Sequence, residues 1–191
     1  MTQITFYILQ NSGQPLGQPL SQVSEQDALL LFVCRLCQAM LDKSEHSVVL
    51  DDNVSRLERL DKWLWSFAPT SFMPHDNFVQ SSIEQFLASV APIRLLNNAS
   101  WLSADDAKVP WNGVVINLSA TPLTLPNAVA SQAVTNKDGL ADESAVCAPS
   151  RLLEIIAGNE ADKEIGRTKY RHYQRQGHQP KHHMLSLYPN K

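Results

Sequence analysis

The succession of apolar runs and helical patterns predicts an α/β fold with a mainly parallel central sheet. Two observations carry it. A β-branched and aromatic run at residues 4–9 is followed by a long helical pattern, and a second apolar run, Ser47–Leu50, is followed by another. Later short apolar runs at 92–96, 113–118 and 151–156 are separated by helix-length segments or by breaks at proline. Strands joined through helices pair in parallel with right-handed crossovers, and such a sheet is covered on both faces.

Each element has a local reason. Residues 10–22 after the first run are polar and marked by Gly and Pro, which reads as a loop. Ser24 with Asp27 resembles a capping box, and Ala28, Leu31, Phe32, Cys34, Leu36, Ala39 and Met40 support a helix to about residue 43. Asp51, Asp52 and Asn53 supply turn and cap chemistry for a second helix reaching Phe67. Pro69 ends it, and 70–77 is expected to be loop. A short helix at 83–90, a third strand at 92–96 and a very apolar fourth strand at 113–118 follow. Residues 127–150, rich in Ala, Ser, Asn and Asp, read as a poorly packed insertion. Residues 151–156 form a fifth strand, followed by a helix that Asn159 caps, with Glu160 and Asp162 in its first turn and Gly177 at its end. The expected organisation is one domain over 1–177 and a mobile tail over 178–191.

With 191 residues, 43% of them hydrophobic, the chain can bury one substantial core. A net charge of −3 and a pI near 6.0 argue against a protein that coats duplex DNA with its whole surface, so any acidic ligand must be met locally. No apolar run has the length of a membrane span, and the first residues lack the charged start and cleavage site of a signal peptide. Three cysteines without framework spacing fit a reducing compartment, and a cytoplasmic location is expected.

Several motifs admit catalytic readings. Cys34 and Cys37 form a Cys-x-x-Cys, but they fall in the middle of a helix and lack further zinc ligands, which favours core packing. His178, His182 and His183 lie in a polar segment that suits a solvated role better than a metal site, whereas His75 is structural or partner-facing. Asp51 and Asp52 follow the second strand, where a dinucleotide enzyme would hold a ribose. Yet only Gly13 and Gly17 follow the first strand, no Gly-x-Gly-x-x-Gly or phosphate-loop motif is present, and the acidic pair reverts to helix capping. No Gly-x-Ser-x-Gly elbow is present either. No cofactor, metal or catalytic residue is expected.

Two clusters remain. Trp63, Leu64, Trp65, Phe67, Phe72 and Met73 crowd the end of the second helix and the next loop, more than one face can bury. Trp63 and Phe67 suit a local mini-core as well as an interface, while Trp65 and Phe72 suit partner anchors. In the last helix Lys163, Arg167, Tyr170, Arg171 and Gln174 recur at spacings of three and four, giving an acidic protein one basic, aromatic-studded stripe. Such a stripe is either a solvated helix face or a receptor for something acidic.

Phe6-Tyr7, Arg59-Leu60-Asp61 with Leu64-Trp65, Ser71-Phe72-Met73-Pro74-His75, and Arg167-x-x-Tyr170-Arg171-x-Tyr173 before Gly177 together resemble the chi subunit of bacterial DNA polymerase III. The resemblance covers most of the chain in order; residues 127–150 and the His-rich end depart from the family pattern and inherit no role. It implies a Rossmann-like three-layer α/β accessory protein of the clamp-loader assembly, associated with the replisome and without catalytic activity. It implies as partners the psi subunit and the acidic C-terminal tail of single-stranded-DNA-binding protein (SSB). An acidic tail with a free carboxylate wants a guanidinium, a second cation and an apolar slot, parts that Arg167, Lys163 and Tyr170 supply, with Ile156 walling the slot and Arg171 extending the rim. Trp65 and Phe72 would meet psi, or a helicase using the same surface. The alternatives are a nucleotide-dependent enzyme on the same fold, and a direct single-strand binder that stacks bases on Tyr170 and Tyr173.

Overall fold

The computed structural model describes residues 2–10, 25–67, 72–102, 111–125 and 148–186. The expected capping box at Ser24, the loop bearing Gly13 and Gly17, Pro69, Cys147 and nearly all of the 127–150 insertion lie outside the described residues. The elements in order are β1 (Gln3–Gln10), α1 (Glu25–Asp42), β2 (Ser47–Leu50), α2 (Val54–Ser66), β3 (His75–Asn77), α3 (Ile83–Ala88), β4 (Ile93–Leu96), β5 (Val114–Asn117), β6 (Arg151–Ile156), α4 (Glu160–Arg175) and β7 (Lys181–Ser186). The seven strands form one sheet in the order β3-β4-β2-β5-β6-β1-β7. Every pairing is parallel.

The sheet separates two cores, which makes the three layers of a Rossmann-like fold. On one face Leu29, Leu30, Val33, Cys34, Cys37 and Met40 of α1 and Leu57, Leu60 and Leu64 of α2 pack on Val49, Ile116, Leu153 and Ile155. On the other, Phe86 of α3 and Tyr173 of α4 pack with Phe6, Val48, Leu50, Val115, Leu152 and Ile156. Alternate residues of a strand point to opposite faces, so the largely apolar strands β2 and β6 feed both cores. Cys34 and Cys37 are fully buried, as core packing predicts, and burial pushes the Cys34 thiol up to about 12.

Two expectations are corrected. Residues 75–77, read as loop, form the edge strand β3, paired from His75 opposite Ile93. Residues 181–186, read as mobile tail, form β7, paired with β1 from Thr5 opposite Lys181 to Gln10 opposite Ser186. Both are polar edge strands held by backbone pairing, and their mostly exposed side chains leave no alternating pattern to read.

The capping assignment is refined as well. The Asn53 side chain accepts from Arg56 N and is the α2 cap, whereas the fully buried Asp51 forms an ion pair with Arg56 and accepts from Asn53 N at 2.9 Å. Gly177, at φ 83°, stops α4 where expected: a left-handed residue lets the His178 N–H donate to Tyr173 O at 3.1 Å.

Candidate functional site

Helix α4 starts from the Asn159 side chain, which accepts from Asp162 N at 2.9 Å, and it presents two different faces. One face packs on β6 through Gly166, Lys169 and Tyr173. The other carries the basic stripe. It borders a groove of about 580 Å³, lined by Ile156, Lys163, Gly166, Arg167, Tyr170 and Arg171 together with residues of β1 and β7. The structure therefore brings the five predicted residues, Ile156, Lys163, Arg167, Tyr170 and Arg171, into one cavity.

The groove has an apolar floor and a charged rim. The Tyr170 ring lies 5.5 Å from that of Phe6, and its hydroxyl donates to Pro180 O at 3.2 Å, so the ring is fixed with one side toward the groove. Ile8 and Met184 continue the floor. On the rim Lys163 pairs with Glu160 and Arg167 with Glu164, each at 2.7 Å and each one helical turn apart. The Lys163 ammonium holds the Glu160 carboxyl below its usual range, first through that hydrogen bond. Exposed pairs of this kind contribute little net stability, so an incoming carboxylate can replace the intrahelical partner at small cost. Arg171 makes no ion pair among the described residues.

Behind the groove is a polar cluster with no counterpart in the expectations. Glu154 of β6 is fully buried; its Oε2 accepts from Lys169 Nζ at 2.6 Å, and its Oε1 accepts from Asn117 Nδ2 at 2.9 Å and from the Tyr173 hydroxyl at 2.5 Å. The Tyr173 oxygen accepts in turn from Leu123 N at 2.9 Å. Burial, and secondarily the Glu154 charge, raise the Tyr173 phenol far above its usual value. This network ties α4 to β6, to the end of β5 and to the chain leaving it. A lone glutamate inside an apolar strand, with a lysine out of phase with the basic stripe, was its signal in the sequence.

That burial decides one alternative. Tyr173 has no exposed surface, so it cannot stack a base, and a single-strand reading that uses Tyr170 and Tyr173 together loses one of its two platforms. A second crevice, of about 350 Å³, lies at the carboxyl ends of β2, β5 and β6, where an open α/β sheet would hold a nucleotide. Asp52 and Asp162 line it next to the caps Asn53 and Asn159, so negative charge occupies the place of a phosphate.

The aromatic cluster divides into a packed pair and an exposed pair. Trp63 and Phe67 pack against the core, as do the buried Leu64 and Met73. Trp65 and Phe72 remain 59% and 65% exposed, with ring centroids 5.4 Å apart, and form an apolar patch well separated in sequence from the groove. His75 supports the patch: its Nδ1 lies 2.8 Å from Met73 O, its Nε2 3.4 Å from Asp61 Oδ1, and its ring 5.0 Å from that of Trp65. Arg59 pairs with Asp27, fastening α2 to α1. No group of three metal-ligating side chains occurs among the described residues, and no helix there is long and apolar enough to cross a membrane.

Helix-phase spacing could not reveal the residues contributed by the sheet, Phe6, Ile8, His182 and Met184, nor Gly166, which has no side chain to show a pattern. No curated protein matches the chain. The family model described as DNA polymerase III chi subunit, HolC, matches residues 1–181, nearly the whole chain and every element that forms the groove up to the first residue of β7. The chain belongs to the DNA polymerase III chi subunit family.

Proposed function

We propose that this chain is a non-catalytic adaptor of the bacterial replicase, joining the psi subunit of the clamp-loader assembly to the acidic C-terminal tail of SSB. The observation that carries the reading is the meeting of Lys163, Arg167 and Arg171 with an apolar floor of Ile156, Phe6 and Tyr170 in one groove, in a chain of the chi family. A peptide tail needs both halves at once: charge-assisted bonds for its terminal carboxylate and acidic residues, and an apolar slot for its last side chain. Trp65 and Phe72 are the proposed anchors for psi, or for a helicase on the same surface. The adaptor works in the cytoplasm at the replisome.

The test is a calorimetric titration of the full chain with a peptide copy of an acidic SSB tail. Arg167→Ala lowers the affinity roughly tenfold or more, since a hydrogen bond to a charged group is removed. Unchanged binding would exclude Arg167 from the receptor. Titration with nucleotides and with naked oligonucleotide gives no comparable heat; saturable heat from either would favour the corresponding alternative.

A further inference from the structure

At the amino ends of β2, β5 and β6, the opposite end of the strands from the crevice beside Asp52 and Asp162, lies a cavity of about 610 Å³. Its wall includes Arg94 of β4, Trp111, Asn112, His46 and the half-exposed Leu87 of α3. The fold class does not call for a ligand there, because open α/β sheets bind at their carboxyl edge. The signal lies in two buried side chains that the fold leaves incompletely partnered. We propose that this cavity binds a small organic monocarboxylate, its oxygens held by Arg94 and the Trp111 indole N–H and its apolar body lying along Leu87.

Arg94 is 8% exposed and Trp111 7%. Arg94 Nε, Nη1 and Nη2 donate to Ala91 O at 3.3 Å, Phe86 O at 3.1 Å and Ser89 O at 2.6 Å, satisfying carbonyls in and just after the last turn of α3. A guanidinium has five N–H groups, so one on each terminal nitrogen is left without a partner among the described residues. No carboxylate there pairs with it: Asp76, opposite Arg94 in β3, accepts from Ser89 Oγ at 2.7 Å. Burial lowers the Arg94 pKa and the Asp76 charge only partly opposes this, as befits a cation short of counter-charge. The Phe86 and Trp111 ring centroids lie 4.9 Å and 5.1 Å from Arg94 Cζ. They are only 6.1 Å from each other, so the rings flank one side of the guanidinium rather than sandwich it, leaving its other side uncovered by them. Trp111 Nε1 is buried with no acceptor, a desolvated donor that a ligand oxygen would satisfy.

Charge selects the ligand. Glu45, the one carboxylate on the wall among the described residues, is paired with Arg151, so the Arg94 charge is the one left uncompensated. That suits a monocarboxylate, whose planar oxygens fit the guanidinium fork, better than a phosphate dianion. Leu87 gives the cavity an apolar lip, and its volume is within the range that encloses small-molecule ligands.

The experiment follows the Trp111 indole N–H by heteronuclear NMR of the isotope-labelled full chain, assigned as the indole resonance lost in Trp111→Phe. Phenylacetate shifts it saturably with a Kd on the order of 1 mM, a strength within reach of a ligand of that size. Its uncharged analogue 2-phenylethanol and inorganic phosphate each bind about tenfold more weakly or worse, since each lacks one part of the match. Leu87→Glu, which sets a negative charge on the lip at a half-exposed position, weakens phenylacetate about threefold to tenfold without disturbing the fold. Trp111→Phe, which keeps a ring but removes the N–H, weakens it comparably, read from the Gly113 and Ser150 amides. No shift of the indole resonance at about 20 mM phenylacetate overturns the proposal, as does equal binding of 2-phenylethanol or phosphate, or unchanged affinity in Leu87→Glu. Phenylacetate that shifts only Gly166 and Tyr170 has entered the α4 groove instead, which overturns this proposal and leaves the acidic-peptide reading intact.

Discussion

Replacing Lys169 by methionine removes the cation from a carboxylate that has no exposure at all. In the native chain Glu154 is met by three donors, Lys169 Nζ at 2.6 Å, the Tyr173 hydroxyl at 2.5 Å and Asn117 Nδ2 at 2.9 Å. Both partners of the ion pair are buried, Lys169 to 1% and Glu154 to 0% exposure, so solvent cannot take over the role of the missing ammonium. Breaking a buried pair by removing one partner costs about 3–5 kcal/mol, because the other charge stays behind in a low dielectric. For a chain of this size each kcal/mol lowers Tm by about 2–4 °C, so Lys169→Met should melt roughly 6–20 °C below the wild type. The companion variant, Glu154→Gln with Lys169→Met, removes both charges, keeps an acceptor oxygen for the Tyr173 hydroxyl and Asn117 Nδ2, and should recover at least half of the loss. Thermal unfolding followed by circular dichroism, with urea denaturation for the free energies, measures all three proteins. A loss below about 1 kcal/mol in the single variant, or a double variant no better than the single, would refute the argument that this pair pins α4 to β6.

Other outcomes follow from the same geometry. Trp65→Ala and Phe72→Ala leave urea stability within about 0.5–1 kcal/mol, because both rings are largely exposed, yet they abolish co-purification of psi, which a pull-down reads directly. Gly113→Ala is destabilised by about 1–3 kcal/mol, since a Cβ there would lie 2.6 Å from His46 O and 2.7 Å from Trp111 Cζ2, and a denaturation midpoint checks it. Burial lifts Cys34 from 9.0 to about 12 and raises Cys37 too, so the stability gained by keeping these thiols protonated is full below pH 9 and declines as pH rises toward 12. Neither thiol reacts with a thiolate-selective reagent in the folded chain at pH 8, and labelling of Cys34 or Cys37 without denaturant, identified by peptide mass mapping, would contradict this.

The strands that were legible in the sequence are those that face a core on both sides. Residues 47–50 and 151–156 read correctly because β2 and β6 lie inside the sheet and are almost wholly apolar. His75–Asn77 and Lys181–Ser186 did not, because edge strands are held by backbone pairing, which leaves no mark on residue type. The missing β7 hid one wall of the groove, including His182 and Met184. Helical periodicity did place Lys163, Arg167, Tyr170 and Arg171 on one face, and the positions one residue before Arg167, Tyr170 and Gln174, namely Gly166, Lys169 and Tyr173, are the buried ones. Tyr173 was read with the exposed set because an aromatic suits either face; only the Glu154 carboxylate behind it settles which it takes.

The most direct test is an NMR titration of isotope-labelled chain with an acidic, Phe-ended peptide at low salt. The largest amide shifts should map to Ile156, Gly166, Arg167, Tyr170 and the adjoining residues of β1 and β7, and they should weaken as salt is raised from about 0.1 to 1 M. Shifts centred instead on Trp65 and Phe72, or on the crevice beside Asp52 and Asp162, would contradict the placement of the acidic tail in the α4 groove.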